Sequence, residues 1–187
     1  MDEDFIVDDI LENNKKVAKK KVDGKSKGDR TELHLAKLLS EHFGVDFSRA
    51  LGSGSRTKQV KLSKNATDAL GGDICVPDGF RWVIECKGGY EKEMDGWSTV
   101  DGKLTQLDAF IEQVSEDARI CKRKPLLLWK RNRKPWLAFI QKFELHELCL
   151  ENVFLCKIQY NGWLCIPFEL LLEKTNKDFW FEAVVKA

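Results

Sequence analysis

The side chains best placed to act together chemically lie in one short run. Asp73 follows Gly71-Gly72, and further along Glu85 and Lys87 flank Cys86. Between them, Asp78-Gly79 separates two runs rich in β-formers, which predicts a hairpin turn of type I′ with positive φ at both central residues. Folding the run about that turn sets Asp73 opposite Ile84 or Glu85. Side chains alternate along a strand, so Arg81, Val83, Glu85 and Lys87 share one face and Trp82, Ile84 and Cys86 the other. Two carboxylates and an ammonium then meet at one end of a mostly apolar hairpin. Partly buried like charges repel and shed hydration unless something neutralises them. A divalent cation does so. Two carboxylates with a backbone carbonyl, that of Cys86, suit Mg²⁺ or Mn²⁺, and Lys87 then sits where a reacting oxygen develops charge. The plainer alternative is a solvated edge strand with a cross-strand lysine-carboxylate pair; because 33% of the chain is charged, Glu-x-Lys alone decides nothing.

The flanking elements must hold these groups in place. Asp29 suits a helix N-cap, Glu32 falls three residues on, and Gly44 suits the terminating left-handed position, which predicts a helix between them. Leu35, Leu38, Leu39 and Phe43 form its apolar stripe. Glu32 lies in line with that stripe and has two readings: the reciprocal carboxylate of a capping box, or a third carboxylate facing the metal. Val45 to Arg49 is β-prone, and Leu51-Gly52-Ser53-Gly54-Ser55-Arg56 follows. Its open backbone N–H groups, with Ser53, Ser55, Arg49, Arg56 and Lys58, suit a phosphate grip; a flexible surface loop is the alternative. Residues 57–70 are a polar insertion.

Beyond a loop, Leu104 to Cys121 has helical spacing and carries Gln113, read either as solvent-facing or as reaching the metal centre. Leu126 to Lys130 and Pro135 to Gln141 read as antiparallel strands. Their turn places Lys130, Arg131, Arg133 and Lys134 beside Trp129 and Trp136, a basic tip whose tryptophans either flank nucleic acid or belong to the core. Then come a short helix from Phe143 to Leu150, a strand from Cys156 to Tyr160, an Asn161-Gly162 turn, a strand from Trp163 to Ile166 and a helix from Pro167 to Leu172. Phe179, Trp180 and Phe181 are too apolar for an idle tail and pack on the core or form a dimer interface.

The formal net charge of the 187 residues is +1, which argues neither for nor against nucleic acid. Its distribution is uneven: an acidic head from Asp2 to Glu12 is followed by basic clusters at 15–30, which holds Lys27 and Arg30, at 49–64 and at 122–134. Residues 1–27 have few apolar anchors and read as a flexible or partner-docking arm, leaving 28–187 as one domain. The six cysteines contain no C-x-x-C pair and sit mostly in apolar runs, as reduced residues of an intracellular protein do. No apolar run suits secretion or membrane spanning, so a cytoplasmic location is expected.

The order of a helix with Glu32, then Arg49 and Gly-Ser-Gly-Ser, then Asp73, Glu85-Cys86-Lys87, a helix and a strand resembles the archaeal-type Holliday junction resolvases and related phage enzymes within the PD-(D/E)xK nucleases. Similarity spans about residues 25 to 135. The literal Pro77-Asp78 is a decoy, since Asp78 is needed in the turn, and Gly72 rather than proline precedes Asp73. The resemblance implies an α/β fold with a restriction-endonuclease-like core, a mixed central sheet flanked by helices, and a two-fold homodimer. It implies that Glu32, Asp73 and Glu85 bind a divalent metal, that Lys87 assists catalysis, and that Ser53 or Ser55 contributes nearby. Branched DNA is the implied substrate, with no small-molecule cofactor, in the host cytoplasm if the protein is phage-encoded. Two other readings stand beside it: a repair or restriction-like nuclease on duplex, flap or single-stranded DNA, and a non-catalytic nucleic-acid-binding module.

Overall fold

The computed structural model describes residues 24–50, 71–89, 104–146 and 158–182. At their centre is a five-stranded sheet in the order β3-β4-β5-β7-β6, built from β3 (Trp82–Gly88), β4 (Lys124–Lys130), β5 (Trp136–Gln141), β6 (Ile158–Tyr160) and β7 (Trp163–Pro167). β3 and β4 run parallel and the remaining pairs antiparallel, so the sheet is mixed. A parallel neighbour requires a crossover, and the helix α2 (Thr105–Cys121) supplies it. β4 reads Pro-Leu-Leu-Leu-Trp because it lies between two strands and is buried on both faces.

Period-2 alternation divides the sheet's side chains between two cores. Trp82, Ile84, Leu126, Leu128, Ile140 and Ile166 pack beneath the helices α1 (Gly24–Phe43) and α4 (Phe168–Lys174). Val83, Leu127, Trp129 and Phe139 pack beneath α2 through Leu107, Phe110 and Val114. The division of faces along β3 expected from sequence is therefore observed. α1 ends as its sequence dictates: Gly44 has φ 69°, and its N–H donates to the Ser40 carbonyl at 2.9 Å. It begins earlier than Asp29, however, so Asp29 is an interior helical residue and caps nothing.

The expected hairpin at Asp78-Gly79 does not form. Only Gly79 has positive φ there, at 74°, and the turn closes through a Phe80 N–H to Pro77 carbonyl bond of 3.2 Å. Both of its arms are paired elsewhere. β2 (Ile74–Cys75) pairs with β1 (Ser48–Arg49) in a separate two-stranded sheet. On the other side of the turn, Arg81 N–H donates to the Trp180 carbonyl at 2.9 Å, and Glu182 N–H donates to the Gly79 carbonyl at 2.8 Å. The C-terminal segment therefore takes the place of the missing hairpin arm. Its helix α5 (Lys177–Trp180) buries Phe179 and Trp180, which settles the apolar tail into the core.

The short helix α3 (Lys142–His146) follows β5. Asn161 and Gly162 both have positive φ, 45° and 81°, and join β6 to β7 as a two-residue hairpin. Among the described residues, Cys75, Cys86, Cys121 and Cys165 form no disulfide, and no helix is long and apolar enough to cross a membrane.

Candidate active site

β3 is an edge strand, so the backbone groups on its outer side need partners from outside the sheet. The segment Gly72-Asp73 provides them. Asp73 N–H donates to the Ile84 carbonyl at 2.9 Å, and the Asp73 carboxylate Oδ2 accepts the Cys86 N–H at 2.9 Å. Asp73 thus lies beside Ile84, as expected, but through an isolated parallel bridge between Gly72 and Ile84 in place of an antiparallel hairpin. The close approach explains the residue before it. Gly72 has φ 79°, and a Cβ at this position would stand 2.4 Å from the Ile84 carbonyl oxygen. Proline, with φ fixed near −65°, is excluded.

Glu85 points to the α2 face and is 1% exposed. One carboxylate oxygen, Oε1, accepts from Lys87 Nζ, which also donates to Gln113 Oε1 at 3.2 Å and lies 5.0 Å from the Phe110 ring centre. Gln113 therefore reaches the site lysine and does not face open solvent. The other oxygen, Glu85 Oε2, is buried without a hydrogen-bond donor among the described residues. Burial, and then the charge of Asp73, pushes the Glu85 carboxyl up to about 8 against the pull of Lys87.

On the opposite face, Glu32 is buried and accepts from Arg49 Nε at 2.5 Å. Its carboxyl is raised by burial; the Arg49 hydrogen bond lowers it and the Asp73 charge raises it again. Asp73 thus bears electrostatically on both Glu32 and Glu85. Four acidic side chains are buried among the described residues, and three of them are these. The three are not closed into a ready metal cage, since Glu32 is turned to Arg49 and Glu85 to Lys87. The donor set nevertheless suits a divalent cation, which would relieve the repulsion between Asp73 and Glu85 and give Oε2 a partner.

Other expected residues gather at the same end of the sheet. Gly88 pairs with Lys130 at the ends of β3 and β4, and a Cβ on Gly88 would meet Thr31 Oγ1 at 2.7 Å. That contact brings the first turns of α1, with Arg30 exposed, beside the β4–β5 tip carrying Lys130, Arg131 and Arg133. Trp129 and Trp136 are 0% and 1% exposed, so they are core residues and offer no ring to a base. Lys130 covers Trp136, 5.5 Å from the ring centre. Lys27 belongs to α1, but its side chain lies outside the described residues, as do Ser53, Ser55, Arg56 and Lys58.

Arg49, expected at a phosphate, instead bridges two carboxylates. Its Nη2 donates to Asp29 Oδ1 at 2.5 Å. Sequence reasoning assigned Asp29 only to a cap and missed this role. The available signal was its spacing of three from Glu32, which puts both carboxylates on one helix face. Asp78, the decoy aspartate, is exposed in its turn.

No curated protein and no solved structure matches this chain significantly. A family model does match, over residues 23–180, and that span includes every described residue of the carboxylate cluster and nearly the whole fold. An aspartate hydrogen-bonded to the edge strand, an E-x-K strand and a flanking helix with a glutamate thus accompany the match, and the chain belongs to the family described as "Phage putative PDDEXK endonuclease".

Proposed function

We propose that this protein is a metal-dependent endonuclease that hydrolyses phosphodiester bonds in branched DNA, four-way junctions foremost, and that it acts as a homodimer. The observation carrying the hydrolytic reading is the buried pair Asp73 and Glu85, in which the charge of Asp73 helps push the Glu85 carboxyl up, with Glu85 Oε2 lacking a partner among the described residues and Lys87 alongside. PD-(D/E)xK nucleases generally use divalent metals. Asp73, Glu85, the Cys86 carbonyl and Glu32 would hold Mg²⁺ or Mn²⁺, which supplies an activated water and charge stabilisation at phosphorus.

The chain's own groups do the remaining work. Lys87, held between Glu85 and Gln113, presents an ammonium to the non-bridging oxygens as negative charge grows there. Phe110 covers Lys87 from the α2 side and limits its hydration. Arg30, Lys130, Arg131 and Arg133 suit backbone phosphates on either side of the scissile bond, with Lys27, Arg56, Lys58 and the serines Ser53 and Ser55 as further candidates. Phosphate contacts carry no sequence information, so binding is salt-sensitive and tolerant of sequence.

Branch selectivity and the dimer follow from the resemblance to junction resolvases, in which two sites related by a two-fold axis cut two strands. A second reading, a nuclease acting on ordinary duplex, flap or single-stranded DNA, is favoured by the same basic residues, because every DNA offers backbone phosphates. Mapping the cuts on a labelled four-way junction beside matched linear, flap and single-stranded substrates separates the two. Paired, symmetric cuts confined to the junction support the resolvase reading. Comparable cutting of every substrate overturns it in favour of the general nuclease, and no cutting leaves a binding module.

A further inference from the structure

Arg49 connects the small β1–β2 sheet to α1. Its guanidinium spans Glu32 at 2.5 Å and Asp29 at 2.5 Å, and its side chain keeps 23% of its surface exposed. Glu32 is also in the field of Asp73, so this positive charge lies within the acidic centre and competes with any cation arriving there. Glu32 Oε2 is engaged by Arg49 Nε. A guanidinium binds phosphate with the same forked geometry it uses for carboxylates.

We propose that Arg49 is a counter-ion with two positions. Without DNA it holds Glu32 and Asp29; when DNA arrives, the guanidinium passes to a backbone phosphate and Glu32 is released to the divalent cation. DNA and metal then bind with positive coupling, and Arg49 acts as a positioning residue for Glu32. This inference rests on the metal-dependent nuclease reading. Asp29 sets the threshold of the exchange, because losing it leaves Arg49 one carboxylate to give up in place of two.

The test is calorimetric titration of Ca²⁺ into the full chain, with and without a short linear duplex; Ca²⁺ is chosen so that the duplex stays intact. In wild type, duplex tightens Ca²⁺ at least about fivefold, and Ca²⁺ tightens duplex by the same factor. In Arg49→Gln the DNA-free protein binds Ca²⁺ more tightly than wild type, and duplex no longer changes that affinity. The slope of log affinity for duplex against log salt, measured without divalent ions, falls by about 1. Asp29→Asn retains the coupling at reduced size and, changing only a half-exposed surface carboxylate, serves if Arg49→Gln fails to fold. Unchanged Ca²⁺ affinity and salt slope in Arg49→Gln, or coupling in Asp29→Asn equal to wild type, overturns the exchange while leaving the metal centre standing. Absence of Ca²⁺ uptake by wild type under both conditions overturns the metal centre and this inference with it.

Discussion

Replacing Gly72 by alanine tests how Asp73 is held. Gly72 has φ 79°, and a Cβ there would stand 2.4 Å from the Ile84 carbonyl oxygen and 3.0 Å from a methyl of Val83. A left-handed conformation costs a residue with a side chain about 1–2 kcal/mol. The carbonyl is backbone in the edge strand that carries Glu85, so relieving the overlap displaces one chain or the other, at about 1–3 kcal/mol more. The expected loss is about 2–5 kcal/mol, or about 4–20 °C in Tm for a domain of this size. Gly79→Ala is the internal control. Gly79 has nearly the same φ, 74°, but nothing lies within 4 Å of its added Cβ. It should lose only the conformational part, about 1–2 kcal/mol. Thermal unfolding of both variants with chelator present measures the difference. Nuclease activity should fall further in Gly72→Ala, because the bond from Cys86 N–H to the Asp73 carboxylate depends on that approach. Equal losses in the two variants would refute the close contact and the placement of Asp73 that follows from it.

Three further outcomes follow from the packing and charges. Glu144 is buried and paired with Lys124, so Lys124→Met should cost about 3–5 kcal/mol in chemical denaturation. Adding Glu144→Leu should restore much of that, and a neutral single variant would contradict the pairing. With metal absent, Glu85 holds a proton in the folded state that the unfolded chain has lost between its ordinary value of 4.5 and about 8. Stability is therefore greatest below that window and falls as pH rises through it; denaturation midpoints across pH should show the fall in wild type and its flattening in Glu85→Gln. Trp180→Ala should cost about 3–5 kcal/mol in the same assay, because its ring lies among Phe43, Phe80, Trp82 and Phe168. A near-neutral result would detach the C-terminal segment from the core.

Local signals were legible where local chemistry decides the outcome. Asn161-Gly162 reads as a turn and forms a two-residue hairpin with both residues at positive φ, because its flanks Ile158–Tyr160 and Trp163–Pro167 are free to pair across it at the sheet's edge. Asp78-Gly79 carries the same signal and fails. Pro77 lacks an N–H, Ile74–Cys75 is taken by Ser48–Arg49, and Phe80 bridges to Phe181 from the far end of the chain. Long-range pairing of this kind leaves no mark in a short window. The alternation along β3 survived that error because it depends only on the strand's own period. Gly72 in place of proline looked like a departure from the motif; it follows from a backbone approach that only glycine permits. Arg49 was legible as a basic residue near a Gly-Ser run, but its partners were not, since charge pairing across elements follows from tertiary placement.

In the proposed mechanism Asp73 and Glu85 hold a catalytic divalent ion. The most direct measurement is Mg²⁺-dependent cleavage of a labelled DNA junction by wild type, Asp73→Asn and Glu85→Gln, with DNA affinity measured in parallel. Metal-dependent cutting by wild type that is lost in both variants while affinity is retained supports the claim. Full cutting by either variant, or cutting by wild type that persists in chelator, contradicts it.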